Sequence, residues 1–165
     1  MRTCKKNSLG ENVEPDIPDE PDEPVDEVVE YTYGNYRYTV DGSEATITGV
    51  VNPKVTAGFE IPSEVIHEGS VLAVTSIGDY AFVNNQNIIL LDIPHTVKHI
   101  GDYAFANCSM LSTILYKVEG SDDAEEFEDI NEFTLWANAN GITQGMLPFG
   151  GTGIDSTPPE LDYNM

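Results

Sequence analysis

The sequence Ile-Gly-Asp-Tyr-Ala-Phe occupies residues 77–82 and recurs unchanged at residues 100–105, a spacing of 23 residues. Helical or strand patterning alone does not produce six identical residues at a fixed distance. Self-similarity at a period of roughly 20–50 residues is typical of repeat architectures. The two hexapeptides therefore predict an array of repeated units.

The similarity extends to the residues before each hexapeptide. A motif of one apolar residue, any residue, Ile and Pro stands at residues 59–62 and again at residues 91–94. The segment between this Ile and the hexapeptide is longer in the first copy, by about nine residues near residues 64–72. We therefore predict a second regular repeat and a first repeat that carries an insertion.

The second copy indicates short elements rather than one long helix or strand. Residues 91–93 alternate apolar and polar side chains as a strand does, and Pro94 suits a strand end because it lacks an N–H. Residues 97–100 predict a second extended stretch. Residues 102–105 predict a helical turn with Asp102 as its N-cap.

Residues 91–113 resemble the BspA-like (Treponema-pallidum-type) leucine-rich repeat, and residues 59–88 resemble it with an insertion. The resemblance rests on the Ile-Pro motif, the hexapeptide and the Asn-Cys-x-x-Leu sequence that follows at residues 107–111. It implies a fold that is mostly β with short helical turns. The expected architecture is a short leucine-rich-repeat solenoid over residues 59–116.

The segment before the repeats predicts a β-hairpin. Apolar residues alternate with polar residues over 36–40, residues 41–44 form a turn signal, and residues 45–51 read as a returning strand. Terminal repeats need a cover for their apolar edges. We therefore expect residues 29–58 to form an N-terminal β-hairpin cap.

The repeat pattern is not recognisable after Ile114. Residues 133–136 are aromatic and apolar and predict a strand, whereas residues 141–153 are glycine-rich and predict a loop. We interpret residues 117–165 as an acidic C-terminal extension or as a decayed or truncated repeat.

The charge of the chain restricts its partners. The formal net charge is −22, which gives no electrostatic basis for nucleic-acid binding. Part of the excess negative charge lies in residues 1–28, where residues 14–24 combine acidic residues with proline at every third position. Such a segment has no apolar face to bury, so it predicts a disordered, acidic tether.

The two cysteines lead to different expectations. Cys108 falls at a small, buried repeat position and predicts a free thiol in the core. Cys4, followed by two lysines and the acidic spacer, resembles the acylated first residue of a bacterial lipoprotein. Only three residues precede Cys4 here, so the signal segment of such a lipoprotein is absent from this sequence. We expect either an outer-membrane lipoprotein anchored at Cys4 or an ordinary tail cysteine.

The sequence contains no recognisable catalytic or cofactor motif. The three histidines lack metal-binding spacing, and two distant cysteines do not complete a zinc site. We therefore expect no enzyme activity, no metal and no cofactor. The enzymatic alternative is a carboxylate-pair hydrolase that uses acids of residues 119–132.

The resemblance implies a surface-exposed protein that takes part in adhesion to host or bacterial proteins. Repeat arrays bind partners along extended faces, so outward-pointing strand residues are the candidates. By alternation we expect these to be Glu60, Thr75, Asp92, Lys98 and His99. The alternative is a structural spacer or cap module of a larger surface assembly, with no ligand of its own.

Overall fold

The computed structural model describes residues 28–54 and 59–153. Within these ranges the chain forms eleven strands and one helix. In chain order they are β1 (Tyr31–Tyr33), β2 (Tyr36–Asp41), β3 (Glu44–Val50), β4 (Phe59–Glu60), β5 (Glu64–His67), β6 (Ser70–Ile77), β7 (Leu90–Ile93), β8 (His99–Ile100), β9 (Thr113–Lys117), β10 (Ala124–Phe127), α1 (Ile130–Ala139) and β11 (Thr143–Gln144). Strand is therefore the main secondary structure, as predicted.

The strands form two sheets. The larger sheet has the order β1-β2-β3-β6-β8-β11, with β5 also paired to β6. Its strands β3, β6, β8 and β11 are parallel, whereas β1, β2 and β3 pair antiparallel. The smaller sheet has the order β10-β9-β7-β4, in which β4, β7 and β9 are parallel.

Three repeats follow from this pairing, which we define as residues 59–85, 90–108 and 113–152. In the smaller sheet Phe59 is paired with Leu91, and Leu91 with Ile114. In the larger sheet β6, β8 and β11 are successive neighbours. The strand pairing continues beyond Ile114, where the sequence pattern is not recognisable, and extends through β11.

The first and third repeats each carry an insertion between their two strands. In the first repeat the extra residues form the β5–β6 hairpin. In the third repeat they form β10 and α1. Neither insertion interrupts the sheets. The strands on both sides of each insertion remain paired in parallel with those of the neighbouring repeat.

The helix α1 replaces the strand predicted at residues 133–136. Asp129 is its N-cap, and its carboxylate accepts from the N–H groups of Asn131 and Glu132 at 2.7 and 3.2 Å. Phe133 and Ala137 are buried, four residues apart, which is the helical spacing. The apolar residues of this short run therefore follow a helical period, and the strand prediction is wrong.

One cluster of buried side chains lies between the two sheets and under the turns. Its most regular part is a row of phenylalanines, one from each repeat. The rings of Phe82 and Phe105 stack at a centroid distance of 5.0 Å, and those of Phe105 and Phe149 stack at 5.3 Å. Phe133 of α1 packs edge-on against Phe149 at 5.4 Å. Phe82 and Phe105, the last residues of the two identical hexapeptides, are both buried.

Phe105 is the middle ring of this row and is fully buried. We expect Phe105→Ala to lower the free energy of unfolding by about 3–5 kcal/mol, because it leaves a cavity between two stacked rings. Chemical denaturation measures the change. Leu135→Ala is the control, since Leu135 is 72% exposed on α1 and should change stability by about 0.5 kcal/mol or less. Equal effects of the two substitutions would contradict the stacked core.

Candidate functional site

The turns that close the three repeats lie side by side. We call residues 78–85, 101–108 and 145–152 the turn column. Alternate N–H groups of each turn donate to carbonyl oxygens of the next turn. The pairs are Tyr80 to Asp102 (2.9 Å), Phe82 to Ala104 (2.7 Å), Tyr103 to Met146 (2.9 Å) and Phe105 to Pro148 (2.7 Å). The bonds all run in one direction, from each repeat to the one that follows.

Asp79 and Asp102 link successive turns instead of capping a helix. The Asp79 carboxylate accepts from the Asp102 N–H at 2.7 Å, and the Asp102 carboxylate accepts from the Met146 N–H at 2.6 Å. Tyr103 has a φ of +53°, which is not helical. The predicted helical turn with Asp102 as N-cap is therefore wrong, and the aspartates have an inter-repeat role.

A row of short polar side chains crosses the parallel part of the larger sheet. Thr46, Ser76, His99 and Thr143 occupy the same register on β3, β6, β8 and β11. The next residue on β3, β6 and β8 is a fully buried isoleucine. Because successive strand residues point to opposite faces, these four residues, which we call the polar row, face outward. His99 Nδ1 lies 2.7 Å from the Thr143 hydroxyl oxygen.

An ion-pair cluster lies on the smaller sheet. Glu60 and Asp92 are paired neighbours on β4 and β7. Lys117 Nζ lies 2.5 Å from a Glu60 carboxylate oxygen and 3.1 Å from an Asp92 carboxylate oxygen. The hydrogen bond that Lys117 donates to the Glu60 carboxylate, together with its interaction with Asp92, raises the pKa of Lys117 above its ordinary value. The cluster therefore keeps two acids and one base together on this face.

The five predicted face residues do not form one site. Glu60 and Asp92 belong to the ion-pair cluster, whereas His99 belongs to the polar row on the other sheet. Lys98 is exposed, and its ammonium group donates to the Tyr116 hydroxyl at 3.3 Å. Thr75 is the extra residue of a register shift between β3 and β6, and its hydroxyl donates to Glu44 at 3.0 Å.

Sequence reasoning missed three members of the polar row and also Lys117. Thr46 and Ser76 each precede a buried isoleucine by one residue, as His99 precedes Ile100. That polar-Ile pattern is the signal that identifies them. Thr143 precedes Gln144, so the pattern is lost in the third repeat.

Cys108 is a free thiol with no exposed surface, as predicted. Its Sγ lies 3.1 Å from the Phe82 carbonyl oxygen. Burial raises the pKa of the Cys108 thiol to about 11. Because thiolate is the nucleophilic form, this cysteine is a structural residue. Cys4 and the tether lie outside the described residues.

Among residues 28–54 and 59–153, no group of three or more His, Cys, Asp or Glu side chains is arranged to hold a metal ion. Three acids of the 119–132 segment, Glu126, Glu128 and Glu132, line a shallow depression. The same ranges contain no helix that is long and apolar enough to cross a bilayer.

A family model described as a BspA type leucine rich repeat region, in six copies, matches residues 66–151. This match covers more than half of the 165 residues. The chain belongs to this family. The matched range begins within β5 and extends past Ile114 to residue 151, one residue before the end of the third repeat. A comparison with curated proteins gives no significant match.

Solved structures of bacterial leucine-rich repeat proteins are similar to this chain. A leucine rich cell surface protein from Faecalibacterium prausnitzii is 32% identical, with a TM-score of 0.50 over 54% of this chain and 24% of that protein. A leucine-rich repeat protein from Bacteroides capillosus is 31% identical, with a TM-score of 0.49 over 53% of this chain and 65% of that protein. The chain thus spans about a quarter of the first and about two thirds of the second.

Proposed function

We propose that this BspA-type chain is a non-catalytic protein-binding module that acts in adhesion at the bacterial cell surface. The polar row is the observation that carries the proposal. Four outward side chains in one register across four parallel strands give a strip of hydroxyl and imidazole groups that contains no carboxylate, lysine or arginine. Such a strip suits a protein surface, because it offers hydrogen bonds without the desolvation cost of buried charges.

The proposal includes a short solenoid with β1–β3 as its N-terminal cap. Two contacts support this arrangement. The strand β3 lies parallel to β6 in the place of a preceding repeat strand. The Gly78 N–H donates to the Ile47 carbonyl oxygen at 2.8 Å, just as the Gly101 N–H donates to Ile77. The antiparallel β2 then occupies the outer edge of β3, which covers the open strand groups.

We also propose that the protein is displayed at the cell surface. The F. prausnitzii protein with a similar structure is described as a cell surface protein. In this chain Cys4 would carry acyl groups, and residues 5–28 would act as the tether between the membrane and the repeats. Two or more acyl chains give stable anchoring, whereas one gives marginal binding.

Binding through the polar row is tested with purified full-length protein and immobilised fibronectin, laminin and collagen, using surface plasmon resonance. We expect one or more of them to bind, and Ser76→Arg or His99→Ala to weaken that binding at least tenfold. Leu115→Arg is the matched control, because Leu115 faces outward on the smaller sheet, beside Asp92. Melting curves check that each variant folds.

If Leu115→Arg weakens binding as much as Ser76→Arg, the polar row is not the site. If none of these proteins binds and the protein copurifies instead with an assembly that tolerates both variants, the alternative function as a structural spacer or cap module is supported.

Anchoring at Cys4 is tested in cells that express the full natural reading frame. Metabolic labelling with a palmitate analogue should mark the wild-type protein, and Cys4→Ser should abolish the label. Cys108→Ser is the control, because Cys108 is buried and should leave the label unchanged. An unlabelled wild-type protein would refute the anchor.

A further inference from the structure

A groove of about 400 Å³ lies at the end of the turn column, between the third turn and α1. Thr134 and Asn138 line it from the helix, and Gln144, Leu147 and Phe149 line it from the third repeat. None of the described residues that line it carries a charge. We call it the terminal groove. It lies on the side of the third turn where a fourth turn would continue the column.

The terminal groove contains backbone N–H groups whose equivalents in the preceding turns donate to the turn that follows. In the first turn, the N–H groups of Tyr80 and Phe82 donate to the second turn at 2.9 and 2.7 Å. In the second turn, those of Tyr103 and Phe105 donate to the third turn at the same distances. The equivalent residues of the third turn are Leu147 and Phe149. Neither N–H has a hydrogen-bond acceptor among the residues that the structure describes. Within the fold, such a pair of donors is met by carbonyl oxygens of alternate residues of the next turn, as with Asp102 and Ala104.

Gln144 supplies a third, independent sign of a missing acceptor. It occupies the register position of Ile77 and Ile100 on neighbouring strands. Its side-chain Nε2 is buried and has no hydrogen-bond partner within residues 28–54 and 59–153. A buried amide without a partner has lost its hydrogen bonds to water and gained none in return. A carbonyl group placed in the groove would provide that partner.

We propose that the terminal groove binds a peptide segment of another protein that adopts the conformation of the repeat turns. Carbonyl oxygens of alternate peptide residues accept from the N–H groups of Leu147 and Phe149, and a further peptide carbonyl accepts from Gln144 Nε2. This is recognition by addition of a backbone to an open edge, in which main-chain hydrogen bonds provide the affinity. The uncharged lining makes the groove tolerant of peptide sequence. The site is separate from the polar row and does not depend on the proposed adhesion function.

The repeat itself provides a probe with the required carbonyls. A synthetic peptide with the sequence of residues 99–107 contains the carbonyl groups that accept from Tyr80 and Phe82 within the fold. We expect it to shift the amide resonances of Leu147 and Phe149 saturably when it is titrated into ¹⁵N-labelled full-length protein. In the free protein, these two amides should exchange rapidly with solvent.

Substitutions in α1 distinguish the groove from the rest of the surface. Thr134→Trp and Asn138→Trp fill the groove and should each raise the apparent Kd at least tenfold. Leu135→Trp is the matched control, since Leu135 is exposed and does not line the groove, and it should bind like the wild type. Using two groove variants keeps the test valid if one of them fails to fold.

Several results would overturn the proposal. No shift at millimolar peptide, or equal weakening by Leu135→Trp, would show that the groove is not the peptide site. Slow exchange of the Leu147 and Phe149 amides in dilute free protein would show that another part of the chain already occupies the donors. Protection that appears only as the protein concentration rises would identify a second copy as the occupant.

Discussion

Successive turns approach each other so closely at their first glycine that no side chain fits between them. A Cβ added at Gly101 would lie 2.4 Å from the Asp79 carboxylate and 2.6 Å from the Asp79 backbone nitrogen. A Cβ added at Gly145 would lie at least as close to the same two groups of Asp102. This approach lets each aspartate accept the N–H of the next turn. The phenylalanine stack, the turn-to-turn hydrogen bonds and the alignment of the polar row all depend on the resulting spacing.

Because the contact between repeats is confined to two short strands and one turn, the chain between the strands is free to vary. The β5–β6 hairpin and the β10–α1 segment both use this freedom. The second insertion also changes how the stack ends, since Phe133 packs on the last phenylalanine of the row, Phe149. The helix therefore covers the core of the third repeat but leaves the edge of its turn open as the terminal groove.

The first two repeats were predictable because the whole Ile-Gly-Asp-Tyr-Ala-Phe sequence recurs. In the third repeat only the glycine and the phenylalanine remain, at Gly145 and Phe149, and a search for identity misses this Gly-x-x-x-Phe pattern. The helix had a signal in Asp129 and Glu132, an N-cap residue followed three positions later by an acid. Of the candidate face, His99 was predictable from alternation, whereas Lys117 needed the sheet register, which local sequence does not reveal.

The most direct measurement of this constraint compares the free energies of unfolding of Gly101→Ala and Gly150→Ala by chemical denaturation. At Gly150 the nearest atom to an added Cβ lies 3.4 Å away, so we expect a change of about 0.5 kcal/mol or less. At Gly101 the added methyl group must push successive turns apart, and we expect a loss of about 1–3 kcal/mol or more. An equally small effect of both substitutions would contradict the close approach of the turns as the basis of the fold.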